Sequence, residues 1–285
     1  MTTTKALPFN IPKPSQASII VQENKEPRFY DKLHEHTEVQ FSYLLSGEGT
    51  LFAGNSIVPY HKNQLVVLNS NVPHLFRTTA NPTEDSHRIS VFFDADWYYK
   101  LIGLNPELKT LEFLLAQAKT GFVINDPTGS LVPLFDRLLK RKLAKRFLSF
   151  IELVLALKEH AFTTLEGDGL AKPYSTTDGA RMRNILEYTL AHYPDAISIK
   201  DAAKQTALTP HAFCKYFKKR TGKTYINFLN QVRIEASCRR LLEQPDSSIA
   251  AIAYSCGFSS LSNFNRQFKR IKATTPRKFR RAIVR

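Results

Sequence analysis

The sequence has few of the features that mark secreted, membrane-spanning or disulfide-rich proteins. Its 285 residues include only three cysteines, at positions 214, 238 and 256, with no C-x-x-C pair. This spacing predicts free thiols rather than a disulfide framework or a zinc site. No run of 18 apolar residues occurs, and the first residues, MTTTKALPFNIPKP, lack the apolar core of a signal peptide. The sequence therefore predicts a cytoplasmic protein that does not enter a membrane.

Acidic residues are scarce in the C-terminal part of the chain. Residues 172–285 contain 22 lysines and arginines against 7 aspartates and glutamates, whereas residues 1–171 contain 18 of each. The formal net charge of +15 therefore lies entirely in the C-terminal segment. Such a charge distribution favours polyanion binding. A membrane surface would instead require an amphipathic helix with exposed apolar residues, and helix packing accounts for the apolar residues here.

A helix, a tight turn and a second helix are predicted between Ile249 and Arg280. Apolar residues at helical spacing precede Cys256-Gly257, where a glycine permits positive φ and ends the first helix. Ser259 and Ser260 are N-cap candidates for a second helix, whose apolar face recurs every three or four residues. This arrangement predicts a helix-turn-helix unit whose second helix enters the major groove of DNA.

The same pattern occurs once earlier in the chain. Ile199, Ala203, Ala207 and Leu208 recur as Ile249, Ala253, Gly257 and Phe258, at an offset of 50. Phe213, Phe217, Thr224 and Phe228 recur as Phe264, Phe268, Thr275 and Phe279, at an offset of 51. The repeat predicts two helix-turn-helix units, joined by one helix over residues 226–243.

Polar residues on the outward faces of the two second helices are the candidate DNA contacts, with Arg266 as a candidate guanine reader. The basic residues that follow are candidate phosphate ligands: Lys272, Arg277, Lys278, Arg280 and Arg281. The candidates are His211, Cys214, Lys215, Lys218, Lys219, Ser262, Asn263, Asn265, Arg266, Lys269, Arg277 and Lys278. Two units on one connecting helix should enter successive major grooves about 10 bp apart, so a dimer would accept direct repeats.

This region resembles the DNA-binding domain of the AraC/XylS family of bacterial transcription regulators. The resemblance rests on IAxxxGFSSxxxFxRxFKR and TPxxFR, as they stand between Ile252 and Arg280. Ala273 departs from the family pattern, which usually has glycine there, so we expect that corner to be remodelled. Ala207 likewise stands where the second repeat has Gly257.

Residues 18–93 are predicted to form a β-barrel or jelly roll. Five short runs, ASIIVQ, VQFSYLLS, GTLFAG, QLVVLN and RISVFF, are rich in β-branched and aromatic residues and are separated by turn signals. HEHTEVQFSYLLSGEG and NQLVVLNSNVPHLF resemble the two sequence segments of the cupin fold, in the version found in AraC-type sensors. The fold class is therefore a cupin-like N-terminal domain with following helices and an all-α C-terminal domain.

Three histidines are expected to converge inside this barrel. His34 and His36 share one strand face, and His74 comes from a neighbouring strand. The interpretations are a pocket for an organic effector, a metal site, or histidines that are satisfied within the core. Gln40 stands where the cupin resemblance implies a glutamate ligand, although Glu38 is a possible substitute. The candidate effector-binding residues are His34, His36, Glu38, Tyr43 and His74, and no cofactor is predicted.

The rest of the chain suggests helices, a linker and a dimer. Helices are predicted over residues 97–101, 107–118 and 131–162, and the family resemblance implies that apolar helices here pair two subunits. Residues 166–179 gather Gly, Pro, Ser, Thr and Asp without periodicity and are predicted to form a linker. The predicted domains are thus residues 1–165 for effector binding and dimerisation and residues 180–285 for DNA binding.

The predicted function is a sequence-specific transcription regulator that responds to a small molecule. Duplex DNA and the effector are its expected partners, with homodimerisation implied by the family and RNA polymerase as a further partner. Two other classes compete: a metal-dependent cupin enzyme with a basic DNA-binding appendage, and a DNA-architectural protein that has no effector response.

Overall fold

The computed structural model describes residues 17–54, 56–79, 84–114, 121–165 and 176–283. The chain divides into two compact units, the first ending at residue 175 and the second beginning at Thr176. The predicted linker over residues 166–179 lies mostly outside the described residues. Its last four residues belong to a helix that begins at Thr176, so regular structure starts earlier than the sequence predicted.

The described part of the first unit is built on two antiparallel sheets. The larger sheet has the order β1-β7-β2-β5-β8-β9, and the smaller has the order β4-β3-β6. The strands are β1 (Ile19–Glu26), β2 (Glu38–Ser46), β3 (Gly49–Ala53), β4 (Ser56–Tyr60), β5 (Gln64–Leu68), β6 (His74–Thr78), β7 (Ser86–Asp94), β8 (Gly121–Asn125) and β9 (Phe162–Thr164). All five predicted runs form strands, β6 is the further strand expected to carry His74, and β4, β8 and β9 were not predicted.

Both faces of the larger sheet are covered, which explains why its strands are apolar on both sides. In β2, Val39, Phe41 and Tyr43 belong to one core cluster, which includes helix residues such as Phe135 and Phe150. The intervening residues point to the opposite face, where Leu44 joins a second cluster that includes residues of the smaller sheet. Because side chains alternate along a strand, each residue of β2 is committed to one of these two environments.

Helices cover one face of the larger sheet, but their bounds differ from the prediction. They are α1 (Ala95–Gly103), a 3-10 helix (Pro106–Leu111), α2 (Val132–Lys140) and α3 (Leu143–Leu157). The predicted helix over residues 131–162 is therefore two helices and a strand. Lys142 adopts an extended conformation between α2 and α3, and Phe162 lies in β9. The predicted helix over residues 107–118 is partly 3-10, and residues 115–118 lie outside the described part.

The second unit is helical throughout its described length. It contains α4 (Thr176–His192), α5 (Ile199–Lys204), α6 (Pro210–Thr221), α7 (Tyr225–Glu243), α8 (Ile249–Ser255), α9 (Leu261–Lys272) and α10 (Pro276–Ile283). The predicted connecting helix corresponds to α7, whose buried residues include Phe228, Leu229 and Val232. Of the helices described in the two units, none has the length and apolar character needed to cross a membrane.

Candidate functional site

The first helix-turn-helix unit consists of α5, a five-residue turn and α6. The Ser198 side chain caps α5 by accepting from the Asp201 N–H, and the Asp201 side chain reciprocates, forming a capping box. Ala207 sits in the turn with φ 53°. Thr209 then caps α6, accepting from the Ala212 N–H, and Pro210 occupies its first turn. The short polar caps thus set both helix starts.

The second unit, α8 and α9, repeats this construction. Ser248 caps α8 and Ser260 caps α9, which confirms Ser260 as the N-cap between the two serine candidates. Gly257 takes the turn position of Ala207, with φ 87°. A Cβ atom at Gly257 would lie 2.4 Å from the Tyr193 carbonyl oxygen, so only glycine fits there without displacement.

The end of α9 is not remodelled, contrary to our expectation. Ala273 adopts the left-handed conformation, with φ 53° and ψ 14°, just as Gly222 ends α6 with φ 69°. The alanine therefore accepts a conformation that costs a non-glycine residue about 1–2 kcal/mol. The two units end their second helices in the same way despite the different residue.

The predicted DNA-contact residues lie almost entirely on the surface. Phe213 and Phe217 of α6, and Phe264 and Phe268 of α9, are fully buried. Asn263 is half-buried, and the other candidates are exposed: His211, Cys214, Lys215, Lys218, Lys219, Ser262, Asn265, Arg266, Lys269, Arg277 and Lys278. The inward aromatic face of each helix thus directs a polar face outward, as the sequence periodicity indicated.

Arg266 is held by its own helix. Its Nη2 donates to the Asn263 Oδ1 at 3.0 Å, across one helical turn. Because an arginine fork presents further donors beyond that bond, Arg266 keeps N–H groups for an acceptor outside the helix. The bond restricts the guanidinium to the exposed side of α9, which reduces the ordering cost of a contact there.

Several other cations of the second unit are structural. Arg233 donates to the Tyr193 and Asp195 carbonyl oxygens, and Arg270 donates to the Asn227 Oδ1. Lys272 and Arg280, which were predicted from the sequence to contact phosphates, are also held within the unit. Lys272 instead lies 2.7 Å from both carboxylate oxygens of Glu235. Arg280 donates to the carbonyl oxygens of Pro245 and Ser247.

The three cysteines are free thiols with different environments. Cys214 is exposed on α6, whereas Cys238 and Cys256 are buried. Burial raises the pKa of Cys238 to about 12, so this thiol stays protonated at neutral pH.

A cavity of about 160 Å³ opens on the larger sheet of the first unit. Its floor is formed by alternate residues of β1, β7 and β2, which are neighbours in the sheet. Rows across these strands bring Asn24 beside Arg88, and Phe92 beside Gln40. The segment before β2 supplies the remaining wall. The lining residues are Gln22, Asn24, Glu26, Phe29, Tyr30, His34, His36, Gln40, Arg88 and Phe92.

The predicted convergence of three histidines is present at this cavity. The ring centroids of His34 and His74 are 4.3 Å apart, and those of His36 and His74 are 5.1 Å apart. His34 and His36 line the cavity, whereas His74 packs against them and is buried. Each Nδ1–H donates to a backbone carbonyl, from His34 to Lys32, from His36 to Glu38 and from His74 to Val72.

These histidines are neutral at neutral pH. Burial is the main cause that lowers the pKa of His34, to about 4, and burial also lowers the pKa values of His36 and His74. His36 Nε2 lies 2.9 Å from the Gln40 side-chain oxygen, and the Gln40 amide continues to Ser42 at 2.7 Å. Because neutral His36 donates through Nδ1, its Nε2 is a hydrogen-bond acceptor. The Gln40 side-chain amide must therefore turn its NH₂ group, and not its oxygen, towards His36 Nε2.

A metal centre is not supported in the part of the chain that the structure describes. No group of three or more His, Cys, Asp or Glu side chains there has an arrangement that would hold a metal ion. Both ring nitrogens of His36 already have partners, which removes it as a ready ligand.

Besides His74, two predicted effector ligands, Glu38 and Tyr43, do not line the cavity. Glu38 is buried beside His36, with its Oε2 3.9 Å from the His36 Nδ1. Tyr43 lies on the opposite face of β2, where its ring packs on Phe135 and its hydroxyl donates to the Asp126 Oδ2 at 2.8 Å. The structure therefore gives Tyr43 a place in the helix-covered core.

Four further wall residues, Gln22, Asn24, Arg88 and Phe92, were not predicted from the sequence. Alternation along β1 and β7 was the available signal, because Gln22 and Asn24 are two apart, as are Arg88, Ser90 and Phe92. Since both faces of β7 are buried, the pattern alone did not identify the cavity face.

Comparison with known proteins matches both units to one family. Residues 16–170 match the family model described as an AraC-like ligand binding domain, and residues 202–282 match the one described as a helix-turn-helix domain.

Individual relatives agree with these matches. The chain is 24% identical over 277 residues to the uncharacterized HTH-type transcriptional regulator YdeC of Bacillus subtilis, covering 90% of this chain and 89% of YdeC. It is 32% identical over 137 residues to the HTH-type transcriptional activator RhaS of Escherichia fergusonii, covering 48% of this chain and 46% of RhaS.

Among solved structures, ToxT of Vibrio cholerae matches 93% of this chain and 98% of its own, with 16% identity and a TM-score of 0.37. That TM-score is too low to support an inference. The family matches, which together span both units, are what decide the assignment: this chain belongs to the AraC family of transcription regulators, with an AraC-like ligand-binding domain followed by a helix-turn-helix DNA-binding domain.

Proposed function

We propose that this regulator reads DNA with the exposed faces of α6 and α9 and senses a small molecule in the cavity of its first unit. The observation that carries the proposal is the equivalence of the two helix-turn-helix units. Each presents a polar face opposite two buried phenylalanines, on helices set by the same kind of cap. Such paired faces suit successive major grooves of one duplex.

Within this interface we assign different roles to α9 and α10. Arg266 lies on the exposed face of α9 and offers the fork geometry that matches guanine O6 and N7. Arg277 and Lys278 are exposed in the first turn of α10, where the Lys278 N–H bonds to the Thr275 hydroxyl at 3.3 Å. A helix start that carries two cations suits a phosphate, which gives affinity without base preference.

The effector site is the cavity lined by His34, His36 and Gln40. It is enclosed by one sheet and the segment before β2, and it combines aromatic walls with amide and imidazole groups. Such a mixture is typical of sites for small organic molecules, in which a few polar groups fix the orientation of the ligand. His74 supports this wall by packing against both histidines.

A second copy of the chain is the proposed partner of the helical face of the first unit. Leu143, Leu148 and Leu155 of α3 are 80%, 59% and 46% exposed, respectively. Apolar side chains on one helix that lack cover in a single chain favour a helix–helix interface between subunits. We further propose that the regulator acts in the cytoplasm together with RNA polymerase and has no enzymatic activity.

Binding-site selection on the full chain tests the DNA assignment. We expect Arg266→Ala to weaken binding to the preferred site by about 1–3 kcal/mol and to flatten the preference at one or two base positions. Lys278→Ala should weaken binding to all sequences alike and make the salt slope shallower by about one unit. Lys158→Ala, which removes an exposed charge from the first unit, is the matched control and should change neither quantity.

The two variants test the two roles separately, because a different result would contradict each assignment. If Arg266→Ala keeps the parent preference at every base position, Arg266 does not read a base. If Lys278→Ala alters the preferred sequence, its contact is not confined to phosphate.

A further inference from the structure

Arg88 places a buried positive charge on the wall of the effector cavity. It lies in β7, opposite Asn24 of β1 and Leu44 of β2. Only 9% of the residue is exposed. Burial lowers the pKa of Arg88 to about 10, which leaves the guanidinium charged at neutral pH.

The partners of Arg88 within the chain are aromatic rings. Its Cζ lies 4.7 Å from the ring centroid of Phe29 and 4.9 Å from that of Phe76. The Nε and Nη1 atoms are buried and make no hydrogen bond. Cation–π contacts offset part of the desolvation cost, but they leave these N–H groups without an acceptor.

Arg88 forms no ion pair within the part of the chain that the structure describes. Among the described ion pairs none involves Arg88. The Glu26 carboxylate shares the cavity wall and attracts Arg88 through space, but its side chain is exposed, so solvent screens that attraction. A buried charge without a counter-ion is costly, so a ligand that brings one gains more here than it would at the surface.

The rest of the wall sets the charge and size of such a ligand. His34 and His36 are neutral at neutral pH, so Arg88 is the one buried cation of the described wall. A single cation matches a single negative charge, and the planar fork of arginine matches a carboxylate. A cavity of about 150 Å³ holds a molecule the size of benzene, and this one is about 160 Å³.

We propose that the effector is a monoanionic carboxylate about the size of one six-membered ring, and that Arg88 binds its carboxylate group. The inference rests on the proposed function, because it takes the cavity as the effector site. The amides of Gln22, Asn24 and Gln40 line the same wall and supply hydrogen bonds to polar substituents on the ring.

Thermal unfolding of the full chain with paired probes tests the proposal. The pairs are benzoate with benzamide and cyclohexanecarboxylate with cyclohexanecarboxamide, which differ in charge but hardly in shape. At a hundred times its dissociation constant, a carboxylate should raise the Tm of the first unit by about 5–10 °C, and its amide partner should not. Phenyl phosphate should have little effect on the Tm, because the described wall offers no second buried cation for its second negative charge.

Variants of Arg88 locate the effect. Arg88→Gln and Arg88→Met should abolish the response to the carboxylates, and Arg88→Lys should keep a weaker response. Arg88→Met removes the unpaired charge while filling the same space, so its Tm without ligand should stay near that of the parent or rise. Lys25→Gln, which removes an exposed cation from β1, is the matched control and should keep the full response.

Three results would overturn the proposal: equal shifts with carboxylate and amide, no carboxylate shift with any probe, or a full response in Arg88→Met. DNA affinity measured with and without each probe separates this outcome from failure of the proposed function. A neutral probe that shifts both the Tm and DNA affinity would refute the carboxylate while leaving the regulator intact. A carboxylate that binds through Arg88 without changing DNA affinity would refute effector sensing while leaving the site intact.

Discussion

Ala207→Gly and Gly257→Ala, at equivalent turn positions of the two helix-turn-helix units, should change the stability of the second unit in opposite directions. Ala207 and Gly257 both have positive φ, at 53° and 87°. Ala207 is exposed, so its methyl group makes no packing contact that glycine would lose. A left-handed alanine costs about 1–2 kcal/mol, and glycine costs about 0.5–1 kcal/mol more entropy on folding. Ala207→Gly should therefore stabilise the second unit by up to about 1 kcal/mol.

The reverse change at Gly257 meets the backbone. The new Cβ would lie 2.4 Å from the Tyr193 carbonyl oxygen and 2.9 Å from that of Pro194. Tyr193 O cannot retreat freely, because it accepts a hydrogen bond from Arg233 Nε at 2.8 Å. Overpacking costs about 1–3 kcal/mol. This overpacking adds to the net cost of positive φ for alanine. Gly257→Ala should therefore destabilise the unit by about 2–3 kcal/mol.

Urea denaturation of the full chain, followed by the helical circular dichroism signal, measures both changes. Ala251→Gly, at an exposed position inside α8, is the control and should cost about 1 kcal/mol, because glycine is unfavourable in a helix interior. A destabilisation by Ala207→Gly as large as that by Ala251→Gly would contradict the cost assigned to a left-handed alanine. An unchanged stability in Gly257→Ala would contradict the clash with the Tyr193 carbonyl oxygen.

Two further predictions concern buried carboxylates, and a third concerns the basic charge of the C-terminal segment. Lys272→Ala leaves the buried Glu235 carboxylate without its ion-pair partner and should destabilise the second unit by up to about 3–5 kcal/mol in urea denaturation. The double variant Lys272→Ala, Glu235→Gln should recover most of that loss, because it removes the unpaired charge. Burial acts to raise the pKa of Asp126, but hydrogen bonds from the Leu131 N–H, Tyr43 and Ser130 outweigh it and hold the pKa below its usual range. The stability that Asp126 contributes is thus present above the unfolded pKa of about 4 and is lost as pH falls through the folded pKa, so Asp126→Asn should flatten the acid limb of a pH series of urea midpoints. The fragment of residues 172–285 should bind duplex DNA in a mobility-shift titration with an affinity that falls steeply with salt, and residues 1–171 should not bind; salt-insensitive binding by the fragment would contradict the counterion account.

The helical unit could be predicted from the sequence almost completely because its signals are local. Short polar caps, a turn glycine and aromatics at helical spacing each act within one or two turns, and the repeat displays them twice. What could not be predicted is which cations serve the fold. Lys272 and Lys269 lie three residues apart on α9, yet one pairs with Glu235 of α7 and the other is exposed. That difference depends on how α9 packs on α7, which a periodic pattern does not contain.

The sensor cavity was predicted less completely because its strands are buried on both faces. In a strand with one solvent-exposed face, polar and apolar residues alternate, and the apolar residues identify the inner face. In β7, Val91 and Phe93 face the helices, whereas Arg88 and Phe92 face the cavity, and an arginine in the run RISVFF carries no sign of which side it takes. The histidines were predicted from their spacing and from the cupin-like segments, although His34 and His36 lie just before β2 and not on a strand as predicted. Arg88 was missed because a charged residue near a strand end ordinarily points to solvent, and only the pairing of β7 between β1 and β2 shows that it does not. The buried charge of Arg88 forms no ion pair in the described chain, which is why the identity of the ligand is best sought at Arg88 rather than at the neutral histidines.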